Sequence, residues 1–347
     1  MTAPAEIKRV RIGQVGIANH GNTIVNAIMA AHNLELVAVY DTDTEACRRV
    51  ADRTGARVAR GFEEMVHDSS IDAVALVTPN HLHCEEVLEA ARARKHVFVE
   101  KPIGNTLPES RAMIEAMQTA GKVLMVGHNT RRRRVFRRAK GILEARSLGK
   151  LVAIEANLSR PVGILPGLPP WKADPTKCPL LPMMQLGIHF VDTIAYLVSP
   201  IRRVSCMAAN VAMSGGMYDS IAALLMLESG IPAVLTSSYV SQDAYFLRIY
   251  GTKGLLHCST LSLTLETTED GVVTDTRVEE FKGEGAESYE LQMQEFGECV
   301  LNNRLPETGG EEGLRALAVI EAMAQSVATS AVIDVEHLLY SNDHHTT

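Results

Sequence analysis

The stretch VRIGQVGIANHGNTIVNAIMAAHNLELVAVYD, residues 10–41, decides how the rest of the chain is read. Val10–Val15 is a short, largely apolar run that predicts a buried strand, and Leu36–Tyr40 predicts a second. Between them lie Gly16, Ile17, Ala18, Asn19, His20 and Gly21, then a helical pattern from about Asn22 to Ala31. Gly16, Ala18 and Gly21 stand at the three glycine positions of the dinucleotide fingerprint G-x-G-x-x-G. The first permits a tight turn, the second lets backbone approach a pyrophosphate, and the third lets helix and strand pack closely. The following helix start offers unpaired N–H groups and a positive dipole end to phosphates. Alanine at the middle position makes the match imperfect, and a plain strand–turn–helix corner would share most of it.

Context adds to it. Asp41 closes the second strand 25 residues after Gly16, near the roughly 20 at which an acid accepts from a ribose 2′-OH. A carboxylate there repels a 2′-phosphate, which favours NAD over NADP, although Arg48 and Arg49 on the next helix could tolerate NADP. Asp41 or Asp43 is equally a candidate helix cap.

Strand and helix patterns keep alternating to Val123–Gly127, which implies a parallel, doubly wound sheet over residues 1–128. The remainder, 129–347, reads as a second, α+β domain. It opens with an amphipathic helix carrying Phe136, Ala139, Ile142 and Leu143, then a Pro/Gly-rich connection at 161–182 and a helix over Met184–Leu197. Short strands with turn signals from Ile201 to Phe281 predict an antiparallel sheet, and two helices, about Glu287–Asn302 and Gly310–Thr329, close the chain.

Chemistry concentrates at three places. TPNHLH (Thr78–His83) and VEKPIGNT (Val99–Thr106) follow parallel strands, where open α/β sheets bind ligands. Proline after Lys101 restricts that residue to extended backbone and can aim its ammonium into the crevice. In QLGIHFVD, Gln185, His189 and Asp192 share one face of an otherwise apolar helix.

Taken with VGHNTRRRR and the closing TGGEEGLRALAVIEA, these segments resemble the glucose–fructose oxidoreductase/inositol 2-dehydrogenase (Gfo/Idh/MocA) family, in the family's order and across nearly the whole chain. The resemblance implies an N-terminal Rossmann domain, then an α+β domain with a large, mostly antiparallel open sheet through which homodimers or homotetramers form. It implies Lys101 and His189 as catalytic groups, the lysine reaching nicotinamide and substrate, the histidine accepting the hydroxyl proton. It places Thr78, Pro79, Asn80, His83, Glu100 and Asn129 around the cofactor, with Gly16, Ala18, Asn19, His20 and Asp41. Gln185 and Lys172 are expected to orient substrate hydroxyls. Trp171, the only tryptophan, is either a pocket wall or a loop anchor. Many members carry Asp where this chain has Gln185; a neutral amide cannot stabilise an imidazolium as a carboxylate would.

Composition bounds the remaining classes. With 347 residues, 46% of them hydrophobic, two domains can bury sizeable cores. A net charge of -7 gives no global field for nucleic acid or anionic membrane. No apolar run approaches a membrane span, and six scattered cysteines read as reduced thiols of a cytoplasmic protein with no metal site. The cluster Arg131–Arg134, Arg137, Arg138 and Lys140 could hold phosphate, but reads better as a helix face with salt bridges. The expectation is an NAD-dependent oxidoreductase acting on a sugar, cyclitol or related polyol. Reduction of a keto-sugar or cyclic dihydrodiol, NAD-dependent glycoside cleavage, and an NAD-sensing regulatory protein are the alternatives.

Overall fold

The computed structural model describes residues 8–282 and 284–340. They form two compact units, one running to Arg132 and taking in Gly285–Leu314, the other comprising Arg133–Glu284 and the chain from Arg315. The division read from sequence falls at 128/129 and keeps the chain after it together.

In the first unit the strands and helices are β1 (Val10–Val15), α1 (His20–Ala30), β2 (Leu34–Tyr40), α2 (Thr44–Thr54), β3 (Arg57–Val58), α3 (Phe62–His67), β4 (Ala73–Leu76), α4 (His83–Arg92), β5 (His96–Val99), α5 (Leu107–Ala120) and β6 (Leu124–Val126). The sheet order is β3-β2-β1-β4-β5-β6, and every pairing is parallel. This is the doubly wound order in which strand polarity places a ligand crevice outside the carboxyl ends of β1 and β4. The strands are largely apolar because both faces are covered: all four residues of β4 are apolar and buried. The late helix α8 (Glu284–Asn302) contributes to this unit. Its Met293, Phe296 and Cys299 join the core of β1, β2 and α1, and the Phe296 ring stands edge-on to Phe98 at 6.1 Å.

The second unit is built on a nine-stranded sheet. Its members are β7 (Leu151–Ser159), β8 (Ile201–Ala209), β9 (Ser220–Leu227), β10 (Pro232–Ser238), β11 (Ala244–Gly251), β12 (Gly254–Ser259), β13 (Ser262–Glu269), β14 (Val272–Glu280) and the two-residue β15 (Ile333–Asp334). The order is β14-β13-β12-β11-β7-β10-β9-β8-β15, antiparallel except where β7 lies beside β10. Helices α6 (Arg134–Glu144), α7 (Ile188–Leu197) and most of α9 (Gly310–Thr329) belong to this unit, with the short α10 (Val335–Tyr340). Alternation along β9 and β10 buries Ile221, Ala223, Leu225, Ala233 and Leu235. The opposite face leaves Leu224 62% and Met207 81% exposed.

The arginine cluster is absorbed by intramolecular partners. Arg132 is fully buried and donates to Glu295 (2.9 and 2.7 Å), the His128 carbonyl and Thr308. Arg133 and Arg134 donate to the carbonyls of Thr260 and Lys282, Arg137 to the Tyr196 hydroxyl, and Arg138 pairs with Glu279. No helix of the described residues is long and apolar enough to cross a membrane, and among them no group of three His, Cys, Asp or Glu could hold a metal.

Candidate active site

The phosphate loop sits between the ends of β2 and β4. The Gly16 N–H donates to the Tyr40 carbonyl (2.9 Å), and its φ of +78° belongs to the left-handed region. A Cβ there would stand 2.4 Å from the Val77 carbonyl oxygen, and one on Gly21 would stand 2.2 Å from that of Gly16. Both fingerprint glycines are therefore forced by backbone on backbone, whereas Ala18 is accommodated. Gln14, a polar residue wholly buried in β1, holds the loop from beneath by donating to the carbonyls of Gly16 (2.9 Å) and Gly21 (2.8 Å). Its oddity inside an apolar strand was the available signal, and the sequence reading passed over it.

The two carboxylates after β2 divide the roles that were left open. Asp43 is the cap of α2, accepting from the N–H groups of Glu45 and Ala46. Asp41 clamps the phosphate loop, its Oδ2 accepting from Ile17 (2.8 Å) and Ala18 (3.1 Å) and its Oδ1 from Asp43 (2.9 Å). Burial pushes the Asp41 carboxyl up, but the N–H groups of Asp43, Ile17 and Ala18 outweigh it and hold the group below its ordinary value. An anion is thus fixed beside the loop. Glycines without room for a Cβ, a helix start with no side-chain cap and this acid fit a dinucleotide.

Beyond β4 and β5 the expected cofactor residues separate by exposure. Thr78 and Pro79 are half-buried, and the Thr78 hydroxyl donates to Glu86 (2.5 Å). Burial raises the Glu86 carboxyl to about 7, the Thr78 hydrogen bond opposing it. Asn80 is buried and donates to Asn105. His83 is also buried, its Nδ1 2.9 Å from the Pro102 carbonyl and its Nε2 3.0 Å from that of Thr78. Burial draws the His83 imidazole below its usual value. Asn129, 5% exposed, donates to Ser288 of α8 (2.8 Å). The contacts of Asn80, His83 and Asn129 are those of braces: they tie the strand-end loops to one another and to α8. Asn105, which completes one of them, lies within the VEKPIGNT stretch, whereas Ser288, and Glu86 beside Thr78, carry no sequence signal of their own.

Lys101 is half-buried in the turn after β5 and precedes a cis Pro102. Its N–H donates to Oε2 of Glu100 (3.1 Å), and the turn is fixed downstream by the Thr106–Glu109 capping box of α5. His20, the first residue of α1, reaches Glu100 with its Nε2 3.2 Å from Oε1.

In the second unit, α7 is entered through a π turn, Met183–Gly187, rather than the regular helix expected from Met184. The i→i+5 bonding widens that turn and changes the angular spacing between Gln185 and His189. Gln185 is buried and donates to the Cys178 thiol (3.5 Å). His189 is half-buried in the first turn of α7, and Asp192 is buried. The Lys172 ammonium lies 5.4 Å from the centre of the Trp171 ring. Burial lowers the Lys172 amine, with Cys178 opposing the shift. Trp171 and Lys172 are both half-buried in a short turn of the long loop, which is pinned where the Gly163 N–H donates to the Tyr239 carbonyl (2.7 Å). Cys178 was not expected at this site; a lone buried thiol gives sequence no reason to single it out.

Residues 10–128 match the family model of an oxidoreductase with an NAD-binding Rossmann fold, and residues 136–257 match the Gfo/Idh/MocA C-terminal domain. The chain is 26% identical to 1,5-anhydro-D-fructose reductase of Ensifer adhaerens over 334 residues, covering 94% of this chain and 98% of that one. It is 25% identical to myo-inositol 2-dehydrogenase of Thermotoga maritima over 340 residues, covering 95% and 100%. In fold it is similar to a levoglucosan dehydrogenase solved with NADH and levoglucosan, with a TM-score of 0.86, 20% identity, and 94% and 100% of the two chains covered.

Proposed function

The chain belongs to the Gfo/Idh/MocA family of NAD-binding oxidoreductases, and from that membership we propose that Lys101 and His189 serve hydride exchange at a secondary alcohol or ketone carbon of a sugar, cyclitol or related polyol. The observation that carries this reading is the cradle around Gly16 and Gly21, closed by the Asp41 carboxylate, with Lys101 at a neighbouring strand end of the same sheet. Asp41 favours NAD over NADP.

The nicotinamide, when bound, accepts or gives the hydride. His189 takes the proton of the reacting hydroxyl as general base, or returns it in reduction. Lys101 hydrogen-bonds the same oxygen and stabilises its developing negative charge. Gln185 and Lys172 orient neighbouring hydroxyls, and Trp171 supplies an apolar wall. The curated relatives include both a reductase and a dehydrogenase, so either direction suits this machinery. The exposed Leu224 and Met207 on the open sheet face support self-association there. Six free thiols, five of them buried, suit a reducing compartment.

The test is a panel of cyclitols, aldoses, amino sugars and nucleotide sugars followed by absorbance of reduced nicotinamide. On any substrate found, Lys101→Met should abolish turnover while NADH still binds, and His189→Asn should cost about 10²–10⁴-fold. Near-wild-type turnover in Lys101→Met would overturn the assignment.

A further inference from the structure

Gln14 is wholly buried in a strand whose other buried members are apolar or glycine. Its amide N–H groups donate to the carbonyls of Gly16 (2.9 Å) and Gly21 (2.8 Å), the first and last glycines of the phosphate loop. Its Oε1, buried as well, meets no hydrogen-bond donor among the described residues. A buried carbonyl left without a donor costs stability, so the packing of β1 does not account for an amide here.

The loop that it fastens carries a second irregularity. Asn19 has φ +47° and ψ -109°. The Gly21 N–H donates to the Ala18 carbonyl (2.8 Å), so Asn19 holds the first central position of a type II′ turn. Glycine takes that position because a Cβ crowds the backbone there. Such a conformation persists only where its surroundings over-determine it, and it gathers at ligand clamps. Two side chains do so here. The Asp41 carboxylate accepts from the N–H groups of Ile17 and Ala18, and Gln14 donates to the carbonyls of Gly16 and Gly21. The planar peptide between Gly16 and Ile17 is thereby held at both ends, its carbonyl by Gln14 and its N–H by Asp41.

We propose that Gln14 is a cofactor-positioning residue: it holds the strained Ala18–Gly21 turn in the shape that receives the dinucleotide diphosphate, so that the loop is set before the cofactor arrives. The proposal rests on the dinucleotide reading of the loop. Asn19 is the residue from which α1 starts, so a change of backbone there re-aims the unpaired N–H groups of the first helical turn. Without the clamp the receptive shape becomes a minor population, and apparent affinity falls by that fraction. Asn19→Gly removes the steric cost of the turn and with it the need for the clamp.

The test is a double-mutant cycle on NADH affinity, by fluorescence titration of wild type, Gln14→Met, Asn19→Gly and the double variant. Gln14→Met keeps the length of the side chain without its donors. It should weaken NADH binding about tenfold or more when Asn19 is present, and less than about threefold in the Asn19→Gly background. Equal losses in the two backgrounds, or a Gln14→Met protein that binds NADH within about twofold of wild type, overturn the proposal and leave dinucleotide binding standing. A wild type that binds no NADH overturns both. Cofactor-free thermal unfolding gives a second reading that does not require Gln14→Met to fold. Asn19→Gly should melt about 2–4 °C above wild type, because relief of the turn exceeds the extra freedom that glycine gives the unfolded chain. An unchanged or lower melting temperature would show that no strain is stored at residue 19 and defeats the proposal.

Discussion

Replacing Asp41 by serine should reverse the cofactor preference. Its carboxylate accepts three backbone N–H bonds, from Ile17 at 2.8 Å, Ala18 at 3.1 Å and Asp43 at 2.9 Å. A hydrogen bond to a charged group contributes about 1.5–3 kcal/mol when well buried, and Asp41 is only half-buried, so the lower end applies. A serine hydroxyl can keep one of these contacts and one to the ribose. The expected loss for NADH is therefore about 1–2 kcal/mol, or roughly 5–30-fold in Kd. NADPH experiences the opposite change. Two like charges about 4 Å apart at an effective dielectric near 20 repel by about 4 kcal/mol before salt screening, and even half of that, once removed, exceeds tenfold. Together the NADH-to-NADPH affinity ratio should fall by about 100-fold or more in Asp41→Ser, read by fluorescence titration of both reduced cofactors at one ionic strength. A ratio that moves less than about threefold would mean that the carboxylate does not face the ribose 2′ position.

Two further predictions concern stability. Arg132→Met removes a fully buried guanidinium from Glu295, a carboxylate 15% exposed that keeps the Glu307 N–H (2.6 Å) as a donor; the loss should be about 3 kcal/mol, or on the order of 10 °C in Tm by thermal denaturation, and Arg138→Ala, whose guanidinium is 49% exposed, should cost less than about 1 kcal/mol. Equal losses in the two variants would refute the distinction between a buried and a surface pair. For Glu86, held up at about 7 by burial, the folded state binds the extra proton between the ordinary carboxylate range and that value. Stability is therefore fully favoured below the unfolded pKa and is lost as pH rises through the folded one, by up to about 3 kcal/mol. Urea unfolding of wild type and Glu86→Gln from about pH 5 to 8 should diverge with rising pH in favour of the variant; parallel profiles would exclude it.

The first unit was legible because its determinants are local and repeated. Val10–Val15 and His96–Val99 emerge with the bounds read from sequence, since strands buried on both faces are mostly apolar along their length. The short β3 and α3 went unread, because two exposed residues and a six-residue helix carry too little pattern. The larger omission is β7, a nine-residue strand at the middle of the second sheet. Its sequence LVAIEANLS alternates only weakly, Ala and Asn diluting the signal, and what makes it central is pairing with β10 and β11, some 80 to 100 residues away. The return of α8 to the first unit was equally invisible: Met293, Phe296 and Cys299 show that the helix has an apolar face, not which core receives it.

The substrate side shows the same limit acting on chemistry. Gln185 looks in sequence like the loss of a carboxylate partner for His189, but its position gives the exchange a physical sense. The amide is buried, sits in a widened turn, and donates to a buried thiol. A carboxylate there would be an acceptor facing sulfur, with no donor from Cys178 beyond a weak S–H, and its burial would cost desolvation unless a cation neutralised it. Restoring Asp at 185 should therefore fail to recover an Asp-type site by itself: Gln185→Asp must draw in a cation or take up a proton. The departure at residue 185 thus involves its contact with Cys178, seven residues earlier in the loop before the helix, which residue-by-residue reading of the helix could not reveal.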